Sequence, residues 1–191
     1  MRFLTVLFAL AAAACTAAPS APPQVAPPAS QAAQAFVIAA NPLAAKAGAE
    51  VLERGGSAID AAVAVQAMLS LVEPQSSGLG GGAFVTYLDG RTGQLTIYDG
   101  RETAPAGASA AMFLGSDGQP LDFATAVLSG RSTGVPGAVA LLALAQREHG
   151  KLPWSSLFAS AERAADDGFV VSPRLSRLLR TPYPQTKTSD F

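Results

Sequence analysis

Arg101 is the side chain in this sequence best suited to gripping an anion. Its planar guanidinium can hold a carboxylate through two parallel hydrogen bonds and stays charged at every physiological pH. It follows Asp99-Gly100 at the end of a strand-like run, where a binding group would sit on rigid support. From the dipeptide alone, a surface arginine beside Glu102 is the plainer reading. Adjacent residues on an extended chain point apart, so adjacency does not by itself make a salt bridge.

The other chemistry-bearing residues read as structural. Gly78-Leu79-Gly80-Gly81-Gly82 could let backbone approach a ligand, but it precedes a strand instead of joining strand to helix and has no phosphate-loop lysine and hydroxyl after it. His149, the single histidine, sits at an expected helix end where exposed carbonyls attract it. Ser76 and Ser77 lack a Gly-x-Ser-x-Gly surround, and nothing in the sequence links them to His149. One cysteine and one histidine at opposite ends of the chain cannot assemble a metal site, so neither metal nor cofactor is expected. Met68 lies in a stretch that leaves hardly any polar face and reads as core.

The periodicities of the chain supply the elements that must carry Arg101. Residues 36–40 form a short apolar run suited to a buried strand, and Asn41-Pro42 then caps and opens a helix that Gly55-Gly56 stops. Residues 57–72 predict a second helix, opened by Ser57 and Asp60 and ended by Glu73-Pro74. Its sequence is apolar all round, which makes it central. Residues 83–88 and 94–98, separated by turn composition, predict a β-hairpin. Gly134-Val135-Pro136-Gly137 introduces a helix ending at Gly150, and Trp154, Leu157, Phe158, Ala161, Ala164 and Ala165 mark another ending near Gly168. The fold class is therefore α+β, with an antiparallel hairpin.

The 191 residues, 49% hydrophobic and 14% charged, suffice for one domain. A formal net charge of −1 leaves no basic surplus for a phosphate backbone, which argues against nucleic acid as a partner. Residues 1–15 have the layout of an export signal: Arg2, a short apolar run, then small alanines before Cys15. That run is too short to span a bilayer. Cys15, the single cysteine, stands where a lipoprotein signal would be cleaved and acylated, although Ala12 occupies the usual leucine position. An ordinary signal peptide cut near Ala17 or Ala18 fits equally well. Either way the expected destination is the bacterial periplasm or an anchored position at the outer membrane. Residues 16–34 hold five prolines, seven alanines and no charge, so they read as a semi-extended tether, and residues 35–191 form the domain.

Taken in order, Asn41-Pro42-Leu43-Ala44, Gly55-Gly56-Ser57-Ala58-Ile59-Asp60, Glu73-Pro74, Ser77-Gly78-Leu79-Gly80-Gly81-Gly82 and Asp99-Gly100-Arg101-Glu102-Thr103-Ala104-Pro105 resemble successive motifs of the gamma-glutamyltransferase family. Gly134-Val135-Pro136-Gly137 and His149-Gly150-Lys151-Leu152-Pro153-Trp154 continue the resemblance. Many relatives have histidine at the position of Asn41. The resemblance implies an N-terminal-nucleophile hydrolase fold, an αββα sandwich, and a precursor that cuts itself into large and small subunits. This chain would then be an incomplete large-subunit domain. Arg101 would bind the α-carboxylate of a γ-glutamyl substrate such as glutathione, contributing orientation.

The family's attacking group is the hydroxyl of the threonine that begins the small subunit. Thr181, Thr186 and Thr188 lie in a segment unlike that Thr-Thr-His start, and the family's Gly-Gly oxyanion hole is not Gly80-Gly81-Gly82. No catalytic residue is therefore assigned, and the missing part or small subunit becomes an expected partner. The expected function is that of an exported γ-glutamyltransferase or glutathione hydrolase fragment that binds donor but is inactive alone. A fragment of a glutaryl or cephalosporin acylase is the alternative enzyme, because it also handles a carboxylate-ended acyl group. A lipid-tethered binding or vestigial protein without turnover is the alternative from another class.

Overall fold

The computed structural model describes residues 35–180. The signal, Cys15, the tether and Thr181, Thr186 and Thr188 lie outside them. Asn41 opens the first helix, α1 (Pro42–Glu53), with its side-chain oxygen accepting the Leu43 N–H at 3.0 Å. Such a cap is worth about 1 kcal/mol. Ala44, Ala47, Gly48 and Val51 form its buried face at helical spacing.

Ser57 starts α2 (Ala58–Val72) with a full capping box: its hydroxyl receives the Asp60 N–H and the Asp60 carboxylate receives the Ser57 N–H. Only Ala58 of this helix is exposed, so the apolar all-round sequence does mark the centre. Two core clusters share α2. Ile59, Ala61, Val63 and Ala64 pack with Val51, Tyr98, Leu141, Leu142 and Leu157. Met68 and Val72 pack with Ala44 and Ala47.

A short helix, α3 (Pro74–Ser77), and the glycine run lead into β1 (Ala83–Leu88), which pairs antiparallel with β2 (Leu95–Gly100) from Ala83 opposite Gly100 to Leu88 opposite Leu95. The inner face carries Val85, Tyr87 and Tyr98, whereas Phe84, Leu88, Leu95 and Ile97 stand exposed on the outer face. Beyond β2 come α4 (Phe123–Leu128), a 3₁₀ turn at Gly130–Ser132, α5 (Ala138–His149), a second 3₁₀ turn at Trp154–Leu157, α6 (Ala159–Asp167) and α7 (Pro173–Arg180).

Two expectations change. Residues 36–40 form no strand, because the only sheet among the described residues is the β1–β2 pair and offers them no ladder. Val37 instead lies against Gly48 of α1, while Phe36 and Ile38 point outward. The helix expected from Trp154 is broken into a 3₁₀ turn and α6, with Phe158 between them.

Buried carboxylates bind distant elements together. The Asp60 carboxylate, 0% exposed, also accepts the N–H groups of Lys151 (2.8 Å) and Leu152 (3.2 Å) and the Gln146 amide (3.2 Å). Glu73 accepts from the Asn41 amide at 3.1 Å and from Gln75, with Arg174 of α7 4.0 Å away. Hydrogen bonds from Asn41, Ser172 and Gln75, aided by the Arg174 charge, outweigh burial and hold the Glu73 carboxyl below its ordinary pKa. Asn41 thus uses its oxygen as a cap and its amide nitrogen as a clasp.

Candidate functional site

Three stretches far apart in sequence meet where β2 ends. Gly100 and Gly137 approach so closely that a Cβ on Gly137 would lie 2.3 Å from the Gly100 carbonyl oxygen. The Gly81 carbonyl accepts the N–H groups of Gly137 (3.3 Å) and Ala138 (3.1 Å), and so supplies the cap that α5 lacks from its own side chains. Past Gly100 the chain is pinned again: Arg101 N–H donates to Asp99 Oδ1 at 2.9 Å, and Thr103 and Val135 exchange backbone hydrogen bonds. Arg101 and Glu102 are held between these fixed points.

The two side chains form an ion pair, Arg101 Nη1 donating to Glu102 Oε2. Alternation along a strand does not separate them because both lie beyond the end of β2. Glu102 in turn packs over the glycine run, where a Cβ on Gly82 would fall 2.5 Å from Glu102 Oε2. Its own backbone N–H favours the carboxylate. Burial opposes that, while the Arg101 charge and the Gly82 backbone reinforce it, and the net effect lowers its pKa. Glu102 therefore stays ionised as a brace. Nε and Nη2 of Arg101, an edge suited to bidentate carboxylate, make no hydrogen bond to the described residues.

Arg101 and Glu102 open onto a cleft of about 540 Å³ that is also lined by Thr103, Arg131, Ser132 and Thr133. Arg131 was not anticipated from the sequence. The polar run Arg131-Ser132-Thr133 immediately before Gly134-Val135-Pro136-Gly137 was the available signal.

His149 lies outside that cleft lining. It ends α5 as expected, and its ring also stacks on Tyr87, 4.0 Å between centroids, with Nε2 2.7 Å from the Tyr98 hydroxyl. Tyr98 donates to Glu148 at 2.5 Å; burial, then the Glu148 hydrogen bond and charge, push its pKa up to about 12, so it remains protonated. Ser76 hydrogen-bonds the Glu73 carbonyl, and neither it nor Ser77 is bonded to His149. Among the described residues no group of three or more His, Cys, Asp or Glu side chains is arranged to hold a metal. The arrangement presents an open guanidinium edge to the cleft, chemistry that suits an anion.

The family model described as Gamma-glutamyltranspeptidase matches residues 44–190. The glutathione hydrolase proenzyme of Bacillus subtilis is 42% identical over 144 residues, a match covering 75% of this chain and 24% of that protein. The chain thus spans about a quarter of the length of that relative. The structure of gamma-glutamyltranspeptidase from Pseudomonas nitroreducens superposes with a TM-score of 0.74 at 32% identity, covering 81% of this chain and 45% of that one. A cephalosporin acylase from Bacillus halodurans superposes with a TM-score of 0.63 at 31% identity, covering 78% of this chain and 27% of that one.

Proposed function

The chain belongs to the gamma-glutamyltranspeptidase family and carries an N-terminal part of its α+β, N-terminal-nucleophile hydrolase fold; from that premise we propose that it supplies the donor-binding half of a γ-glutamyltransferase or glutathione hydrolase site. The observation that carries the reading is Arg101, braced on one side by Glu102 and open on the other to the cleft. The open Nε and Nη2 edge would hold the α-carboxylate of a γ-glutamyl donor. Glu102 is the acidic side chain in the cleft lining, and its carboxylate favours an α-ammonium group beside that carboxylate. The γ-carbonyl would then be held for attack, so the contribution is orientation.

Bond making belongs, in this reading, to a threonine from a partner segment or small subunit. Thr103, Ser132 and Thr133 line the cleft, but His149 does not, and among the described residues the Ser132 hydroxyl donates to the Val127 and Ser129 carbonyls instead of to a general base. The outer face of the hairpin, with Phe84, Leu88, Leu95 and Ile97, suits coverage by that remaining part. Fragments of glutaryl or cephalosporin acylases are the second reading, favoured by the acylase superposition. A glutaryl group has no α-ammonium, so toward it Glu102 would keep the brace on Arg101 and make no contact of its own. A binding protein without turnover would keep the Arg101 contact and lose the partner.

Calorimetric titration of the full chain with a γ-glutamyl amide tests the reading. Arg101→Ala should weaken binding by about 1.5–3 kcal/mol, the worth of hydrogen bonds to a charged group. Equal affinity for the variant would remove Arg101 from the site, and preference for a glutaryl amide would select the acylase reading. Turnover on co-expression with a polypeptide beginning Thr-Thr-His would separate the enzyme from the binding protein.

Export and anchoring are proposed from residues 1–15 and Cys15. Labelled fatty acid should enter the full chain in a bacterial host and not the Cys15→Ser variant. An unlabelled chain would leave simple secretion to the periplasm.

A further inference from the structure

Arg131 shares the cleft with Arg101 but differs from it in one respect: no carboxylate faces it among the described residues. Its Nη1 donates to the carbonyls of Met112 and Leu114, both at 3.1 Å. Those carbonyls flank Phe113, which also lines the cleft, so Arg131 helps to build the wall it stands in. Carbonyl dipoles fix the guanidinium without cancelling its net charge. Nε and Nη2 remain without a hydrogen bond to the described residues, and the side chain is exposed.

One cleft therefore holds two guanidinium groups and a single acidic side chain, Glu102, which is already engaged by Arg101. The surplus cation is Arg131. A ligand carrying one carboxylate would satisfy Arg101 and leave Arg131 facing water. A ligand carrying a second carboxylate could engage both.

We propose that Arg131 is a specificity-determining residue, selecting γ-glutamyl donors whose leaving group itself ends in a carboxylate over donors with a neutral leaving group. The inference rests on the assignment of the α-carboxylate to Arg101. It adds that the far end of the donor is read by charge. Ser132 and Thr133, beside Arg131 in the lining, supply hydroxyls that can join the same contact.

The test uses the full chain and two ligands of matched length, γ-glutamylglycine and γ-glutamylethylamide, which differ in the terminal carboxylate. The chain should bind γ-glutamylglycine about fivefold more tightly, the upper end of an exposed ion pair. Arg131→Gln keeps an amide that can donate to the Met112 and Leu114 carbonyls and removes the charge, so it should abolish the preference without weakening the ethylamide. Arg131→Lys should retain most of it. Added salt should shrink the preference in the unaltered chain, a readout that does not depend on any variant folding.

A preference that survives Arg131→Gln, resists 0.5 M salt or is absent from the unaltered chain overturns the proposal and leaves Arg101 in place. If Arg101→Ala changes binding of neither ligand, or if neither ligand binds the chain at all, the donor-binding reading falls and takes this inference with it.

Discussion

Replacing Asp60 with alanine is expected to cost on the order of 3–5 kcal/mol of folding stability, a large share of the 5–15 kcal/mol typical of a domain. The side chain is wholly buried and its carboxylate receives the N–H groups of Ser57, Lys151 and Leu152 and the amide of Gln146. Removing it strands donors at the start of α2 and in the turn after α5 at once, and each stranded group costs about 1–3 kcal/mol. Urea denaturation of the full chain measures the loss. A change below 1 kcal/mol would show that water replaces the carboxylate cheaply.

The same residue sets a pH dependence with a definite sign. Burial works to raise the Asp60 pKa, and the hydrogen bonds from Ser57, Lys151, Gln146 and Leu152 outweigh it, so the folded value lies below the unfolded one. Its stabilisation is therefore fully present above the unfolded value of about 4 and is lost as pH falls through the folded pKa. The stability gap between the unaltered chain and Asp60→Asn should narrow below about pH 4. A gap constant down to pH 2 would contradict the assignment.

Gly137→Ala is the second substitution with a large expected effect, about 3 kcal/mol or more. Backbone strain is not the cause, since Gly137 has φ −120° and ψ −12°, open to other residues. The cause is space: the new Cβ would sit 2.3 Å from the Gly100 oxygen and 2.8 Å from its carbonyl carbon. Backbone cannot swing aside as a side chain can, so β2 and α5 must part, and overpacking costs of this size follow. Parting them also moves Arg101, one residue beyond Gly100, so ligand binding should weaken together with stability. Gly100→Ala meets Leu141 Cβ at 2.5 Å and should act the same way. The double variant should cost less than the sum, because one separation relieves both clashes. A Gly137→Ala chain with an unchanged unfolding midpoint would refute the close approach.

The elements legible in the sequence are those whose signals are local. Asn41-Pro42, Ser57 with Asp60, and Gly150 mark helix ends through contacts within a few residues, and α1, α2 and α5 fall within a residue or two of expectation. The hairpin was readable from strand and turn composition, with β2 running two residues beyond the expected Tyr98 to end on Gly100. What escaped depends on distance along the chain. Asp60 reads as a cap, yet its bonds to Lys151 and Leu152 span 91 and 92 residues. Residues 36–40 carry strand composition, but composition does not provide a partner. Arg101 stood out by its chemistry and its neighbours, and it does line the cleft, whereas its ion pair with Glu102 could not be expected until the end of β2 was located. Arg131 joins the cleft from 30 positions further on, through a loop with no periodicity to announce it.

The cleft is also separate from the parts that hold the protein up. Arg101, Glu102, Thr103, Arg131, Ser132 and Thr133 line it, and none of them belongs to either core cluster around α2. Substitutions among these residues meet solvent and loop backbone instead of close-packed interior, so most should stay within about 0.5 kcal/mol in stability. Chemical preference can therefore drift while the scaffold stands still. A lineage could change what the cleft accepts in small mutational steps, without first acquiring spare stability to survive them.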